Sequence, residues 1–453
     1  MAPHRDREQG MGIGRRSFLA GLTTAAVAGV SHTAMAQCTG NWFEKVIAGC
    51  ANSAPQSSAD ERKKPEPLND LRPETTPYRS DVMIEAIDIA IQKYERIAAA
   101  GGWPTIPGSR MIRPEDDDDR LPVLRRRLVA GGELKSATGQ SNTFTFDGDL
   151  EGAIRRFQEN HGMRVSGRVD KPTLQALNVP VQSRIAQLKL NQQRLRELLV
   201  QRPEDRYILV NAAAFQLEAV ERGEVQQRHR VIAGREGRQT PVVKATIRAL
   251  NFFPFWRVPD SVATLDLIPR LRKEPEYVGK EKIRVLASEF NGRELDVSSV
   301  DWNTATSTQI KFRQDPGPQN ALGLVRIDMP NSEGVYMHDT PMKQLFAQRG
   351  RAFSAGCVRV QDVFKLADWI ARYEMGWDQP GRAQTVVDAG QALDLNLTRQ
   401  IPVYFTYITA WAEPNGSVQF RPDIYGRDGI KDSTAGRDRD ESEGPAPVAA
   451  LAP

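Results

Sequence analysis

The chain is read as an α+β protein, with a helical first half and a strand-rich second half. Two observations carry that reading. Apolar residues recur at i, i+3/i+4 spacing through much of the region from residue 80 to 200. Beyond residue 205, short alternating segments separated by hairpin and turn signals replace them. Its 453 residues are enough for two or three domains. With 61 Lys and Arg against 57 Asp and Glu, mixed along the chain, no basic stripe for nucleic acid and no membrane-binding helix stands out.

Residues 1–36 have the pattern of a twin-arginine signal peptide. Arg15-Arg16-Ser17-Phe18-Leu19 precedes the apolar run Ala20–Val30, and Ala34-Met35-Ala36 supplies a small-x-small cleavage site. The apolar run is far short of the ~20 residues of a membrane span. Export to the periplasm, without a transmembrane segment, is the expectation. Gln37 stands before Cys38 where a lipoprotein cleavage box has a small residue, so no lipid anchor is expected. Cys38 and Cys50 would survive cleavage; either they pair and leave Cys357 as the odd thiol, or all three are inert or bridge molecules.

The remaining segments follow in order. Residues 37–76 are rich in Ser, Ala, Pro and charge and read as a linker. In the helical scaffold 77–120, Met83, Ile84, Ile87, Ile91, Tyr94 and Ile97 mark one helix, capped by Ser80 and ended by Gly101-Gly102. Asp116–Asp119 reads as a solvated acidic loop, since no ligand-spaced partner accompanies it. Residues 121–180 read as helix, glycine turn, helix, with Ile154, Phe157, Leu174 and Leu177 as a small core and His161 at a turn or on the surface. Residues 181–204 form a connecting helix. Strands are expected at Tyr207–Val210, Phe215–Val220, Val225–Ala233 (after the turn Glu221-Arg222-Gly223-Glu224), Thr246–Phe253 and Pro402–Trp411, with a helix at Val363–Arg372. Residues 431–453 read as a disordered tail.

After Cys50 the chain has a single cysteine, Cys357, in Ser354-Ala355-Gly356-Cys357-Val358-Arg359. Eighteen residues separate it from His338, in Tyr336-Met337-His338-Asp339-Thr340-Pro341. A thiol nucleophile needs a neighbouring base, and of five histidines two, His4 and His32, lie in the expected leader. His229 falls in an alternating strand and reads as structural. Taken alone, Cys357 is as readily a buried, inert hydrophobe; paired with His338 it becomes a candidate nucleophile.

Tyr336–Pro341 followed by Ser354–Arg359 resembles the signature of the L,D-transpeptidases, cysteine enzymes with a YkuD-type catalytic domain that cross-link peptidoglycan stem peptides. The resemblance runs from about residue 78 to about residue 428 and is closest to large periplasmic members with a built-in peptidoglycan-binding subdomain. It implies a mainly β catalytic domain of the YkuD β-sandwich type over 205–430. A mobile lid would occupy about 260–320, after Phe253–Pro259. The segments Leu150–Gln158, His161–Met163 and Gly167–Asn178 resemble the peptidoglycan-binding module.

Carried over residue by residue, the resemblance makes Cys357 the nucleophile and His338 its base. The backbone carbonyl at Asp339 would orient the imidazole. Gly356 would let a substrate carbonyl approach, with amides around Gly356 and Cys357 as oxyanion donors. Ser354 and Arg359 would shape the pocket, Arg359 attracting a substrate carboxylate, and Tyr336 would line the donor site. Ala355 stands where the family usually has histidine, a residue that is generally not the base, so this departure bears on acceptor geometry and rate.

The implied reaction is a two-step acyl transfer needing no metal or cofactor. Its partners would be peptidoglycan stem peptides and glycan, with an outer-membrane lipoprotein lysine as another acceptor. Two other readings stay open: water as acceptor, giving an L,D-carboxypeptidase or endopeptidase, and a catalytically degenerate wall-binding protein.

Overall fold

The structure, a computed structural model, describes residues 68, 70–114, 117–135, 143–433 and 435. The twin-arginine leader, Cys38, Cys50, Asp116, most of the expected linker and nearly all of the expected tail lie outside the described residues.

Helix α1 (Asp81–Ala99) begins where the sequence places its cap: the Ser80 hydroxyl accepts from the Met83 amide at 3.4 Å. It stops at Gly101 and Gly102, whose φ of 98° and 77° suit only glycine without strain. Three further helices, α2 (Leu121–Gly131), α3 (Gly148–Asn160) and α4 (Lys171–Leu177), share one apolar core built on Leu124, Leu128, Ile154, Phe157, Leu174 and Leu177. Asp147 and Asp170 cap α3 and α4. Helix α5 (Val181–Leu199) then lies along α1, and the pair buries Ile87, Tyr94, Leu188 and Leu195 with Trp411 and Phe420 of a small hairpin.

His161 differs from its turn or surface reading. It is buried, its Nδ1 lies 2.8 Å from the Phe157 carbonyl, and its ring stacks on Phe157 and Phe420. Burial holds its pKa well below the usual imidazole value, so the ring is neutral packing material that joins the three-helix unit to the hairpin.

Nine strands form the principal sheet: β1 (Arg206–Asn211), β2 (Gln216–Glu221), β3 (Glu224–Gly234), β4 (Val243–Phe252), β8 (Val325–Asp328), β9 (Met337–His338), β10 (Ala352–Ser354), β11 (Val358–Val360) and β12 (Leu393–Thr406). Their order is β10-β3-β11-β9-β8-β4-β12-β1-β2, and a β2–β3 pairing closes the sheet on itself. The closing hairpin turns through Arg222 and Gly223, both at positive φ (53° and 77°), the combination a two-residue type I′ turn requires. Inward-facing Ile208, Leu217, Val231, Ile247, Ile327, Met337, Val358 and Phe405 pack with helix α6 (Val363–Ala371) into one dry core.

Between β4 and β8 the chain leaves the sheet. Residues 256–322 build a separate core around Trp256, Leu271, Val285, Trp302 and Phe312, under a three-stranded sheet ordered β5 (Trp256–Arg257), β7 (Ile310–Gln314), β6 (Ile283–Ala287). Its neck is pinned where the Phe253 amide donates to Leu324 O at 2.9 Å.

The last part of the expected linker is not loose chain. Arg72 is buried in bonds to Glu218 (2.7 Å) and Glu413 (2.6 Å), and Asp70 pairs with Arg230 and Arg351. Composition suggested a linker because these charges have no local partners. Their partners lie more than a hundred residues away in sequence.

Candidate active site

Strands β9 and β11 run parallel, with Met337 opposite Val358 and His338 opposite Arg359. On the other side of β9, Arg326 of β8 lies opposite His338, and Asn251 of β4 lies opposite Arg326. Side chains in register across a sheet share a face. Asn251, Arg326, His338 and Arg359 therefore form a polar row, while Leu250, Ile327, Met337 and Val358 form the adjacent row that faces the core. The pleat explains how a histidine and an arginine sit in the middle of a buried sheet without disturbing its interior.

Cys357 and Tyr336 occupy the positions just before β11 and β9, side by side because the Val358 amide donates to Tyr336 O at 3.0 Å. The Tyr336 hydroxyl hydrogen-bonds to the Cys357 thiol, and its ring stands edge-on to His338 at 5.7 Å. Arg326 lies 5.6 Å from the Tyr336 ring centroid. Thus Tyr336, His338, Cys357 and Arg359, singled out from sequence, are gathered on one end of two adjacent strands. Arg326, which the sequence reading missed, joins them; its only sequence signal was its place in an alternating strand.

Cys357 is 6% exposed. Burial pushes its thiol up to about 11, against the opposing pull of the Tyr336 hydrogen bond and the Arg359 and Arg326 charges. Arg359 is wholly buried and itself lowered to about 10 by desolvation, with the Cys357 charge opposing. The resting sulfur is consequently a protonated thiol at neutral pH.

Ser354 folds the turn that presents the sulfur. Its hydroxyl donates to Cys357 O at 2.5 Å and accepts from the Gly356 amide at 3.2 Å. Gly356 has φ +122°, a conformation that side chains rarely adopt. Of the two amides expected as oxyanion donors, that of Gly356 donates to the Ser354 hydroxyl. The Asp339 side chain turns away from the histidine. It accepts from the Leu324 amide at 3.0 Å, bonds Lys343, and presses on Gly323, where a Cβ would fall 2.3 Å from its carboxylate. Ala355 packs, with Tyr336, against the core of the 256–322 insertion, so a small apolar side chain at this position suits the insertion's approach.

Residues 205–388 match the model of the L,D-transpeptidase catalytic domain, of the YkuD type, and residues 122–177 match that of a "Putative peptidoglycan binding domain". A protein of Haemophilus influenzae named "Putative L,D-transpeptidase" is 33% identical over 243 residues, 53% of this chain and 48% of that protein. The matched region thus spans about half the length of that relative. Among solved structures, an L,D-transpeptidase from Stackebrandtia nassauensis is 12% identical with a TM-score of 0.23, covering 67% of this chain and 95% of that one. One from Mycobacterium smegmatis is 13% identical with a TM-score of 0.21, covering 45% and 58%. At such scores the solved structures add nothing to the family match.

Proposed function

We propose that this chain, which carries a YkuD-type L,D-transpeptidase catalytic domain and a peptidoglycan-binding domain, is a cysteine acyltransferase acting on peptidoglycan stem peptides. The observation that carries the reading is a polar row, inside the matched catalytic domain, with a thiol at its end and a histidine on the neighbouring strand.

In the first half-reaction the Cys357 sulfur attacks the carbonyl of the third, L-configured centre of a tetrapeptide stem. His338 takes the thiol proton, the Cys357 amide receives the developing oxyanion, and the C–N bond to the terminal D-alanine breaks. His338 passes the proton to the departing amine, leaving a thioester. In the second half a side-chain amine of a neighbouring stem attacks. A new C–N bond forms, the C–S bond breaks, and the amine proton returns through His338 to the sulfur.

Arg326 and Arg359 favour the thiolate over the thiol, and Tyr336 steadies it by a hydrogen bond. An extracytoplasmic location follows from such a substrate, and no helix among the described residues is long and apolar enough to cross a membrane.

The test is intact mass of the mature protein incubated with disaccharide-tetrapeptide, beside Cys357→Ala. A covalent adduct or D-alanine release in the wild type alone supports the assignment, and the product mass separates cross-linking from hydrolysis. A folded protein that binds sacculi but gives neither adduct nor product would return the chain to a wall-binding role.

A further inference from the structure

We infer that Thr240 is a positioning residue for the oxyanion site, aiming the Cys357 amide by holding the carbonyl on the other side of the same peptide unit. The inference rests on the acyl-transfer reading above and adds a residue that no sequence pattern marked. Thr240 is wholly buried. Its hydroxyl accepts from the Gly234 amide at 2.8 Å, so its proton is directed to Gly356 O at 2.9 Å.

A trans peptide plane points its C=O and N–H in opposite directions. Anchoring Gly356 O therefore turns the Cys357 N–H the other way, away from Thr240. Without such an anchor, this plane sits beside a glycine with φ +122°, where the backbone has more than ordinary freedom to rotate.

The anchor is itself held. Tyr425 Oη donates to Gly234 O at 2.6 Å and accepts from the Thr240 amide at 3.3 Å, and Arg427 donates to Thr240 O at 3.0 Å. Gly234 has no room for a side chain: a Cβ there would lie 2.1 Å from Arg238 O and 2.7 Å from the Thr240 amide. Ser354 closes the turn from within while Thr240 braces it from behind. Each hydroxyl both donates and accepts, so each proton has a fixed direction, which is the arrangement expected of a rigid donor preorganised for a charge that appears only during reaction.

The experiment compares two reactions of the same sulfur in the full-length mature protein. Alkylation by iodoacetamide displaces iodide and creates no oxyanion. Acylation creates one, both with disaccharide-tetrapeptide and with the small donor p-nitrophenyl acetate. Thr240→Val is expected to lower kcat and the acylation rate by about a hundredfold, with KM and the alkylation rate within about threefold, and Thr240→Ser is expected to restore acylation.

An unchanged ratio of acylation to alkylation would overturn the inference, as would a parallel fall of both rates or failure of the serine to rescue. Should Thr240→Val not fold, Tyr425→Phe tests the same bonds one step back, with an expected loss of about fivefold in acylation alone. A wild type inert toward tetrapeptide would remove the peptidoglycan reading. The p-nitrophenyl acetate ratio would still decide the role of Thr240.

Discussion

The principal sheet and the 256–322 insertion are both β structures with apolar cores, yet they are secured differently. The sheet closes on itself through β2–β3 and fills its interior from eight strands and two helices, α6 and Arg382–Asp388. The insertion has three short strands, leaves Leu265 and, just before its start, Phe255 exposed, and is tied across to the β3–β4 loop by Asp266, which pairs with Arg235 (3.1 Å) and Arg238 (2.5 Å). The two cores meet at Tyr336, and Ala355 touches only the second. Cys357 thus belongs to the core of the closed sheet, whereas its neighbours Tyr336 and Ala355 pack on a unit with fewer interlocks and a polar tie. On the proposed function, that division would suit a site that admits a bulky polymer and then excludes water.

The sharpest break would come at the root. Cys357→Ala should reduce acyl transfer by at least ~10⁴-fold while shifting the melting temperature by less than about 4 °C, read by D-alanine release and calorimetry. His338→Gln should cost ~10²–10⁴-fold in the same assay. Retained turnover in either variant would detach the chemistry from the sheet.

A matched pair of core truncations sharpens the contrast in stability. Phe405→Ala in the sheet should lose about 3–5 kcal/mol from the global unfolding transition. Phe312→Ala in the insertion, of similar local cost, should mainly speed hydrogen exchange within 256–322. Equal global losses would show that the two units unfold as one.

Reactivity against pH probes the thiol itself. Burial raises its pKa to about 11, so thiolate is scarce below that value and grows as pH rises. Iodoacetamide alkylation should therefore increase about tenfold per pH unit from 7 to 10 and level off near 11, rather than near the ~8.5 of an ordinary cysteine. A plateau by pH 8.5 would mean that the sulfur is not held as a buried thiol.

The smallest effect is expected at the tie. Asp266→Asn should raise the alkylation rate by about threefold at low salt, with a smaller difference at 1 M salt. A fall in the rate would show that the tie does not restrict access to the sulfur.

Much of this was legible locally. Ser80, Asp147 and Asp170 act on amides two or three residues away, and the Arg222-Gly223 turn needs only its own dihedral angles. The thiol, its histidine and the flanking Tyr336 and Arg359 could be picked out because their motifs are short and cysteine is scarce. Arg326 could not, because its role arises from lying opposite His338 across a strand pairing. His161 was misjudged because a glycine turn follows it, while Phe420, which covers it, is far along the chain.

The sequence by itself determined the order of helices and strands, the closing hairpin and the types of side chain available for acyl transfer, since each depends on residues a few positions apart. Only the tertiary structure decided that the Gly356 amide is taken by Ser354 and its carbonyl held by Thr240, that Asp339 braces Gly323, and that the sulfur rests as a buried thiol. Those outcomes depend on partners such as Thr240 and Tyr425, 116 residues from Gly356 and 185 residues from Thr240 respectively. They also depend on burial of the sulfur within the core of the closed sheet, and neither effect exists until the chain has closed around the site.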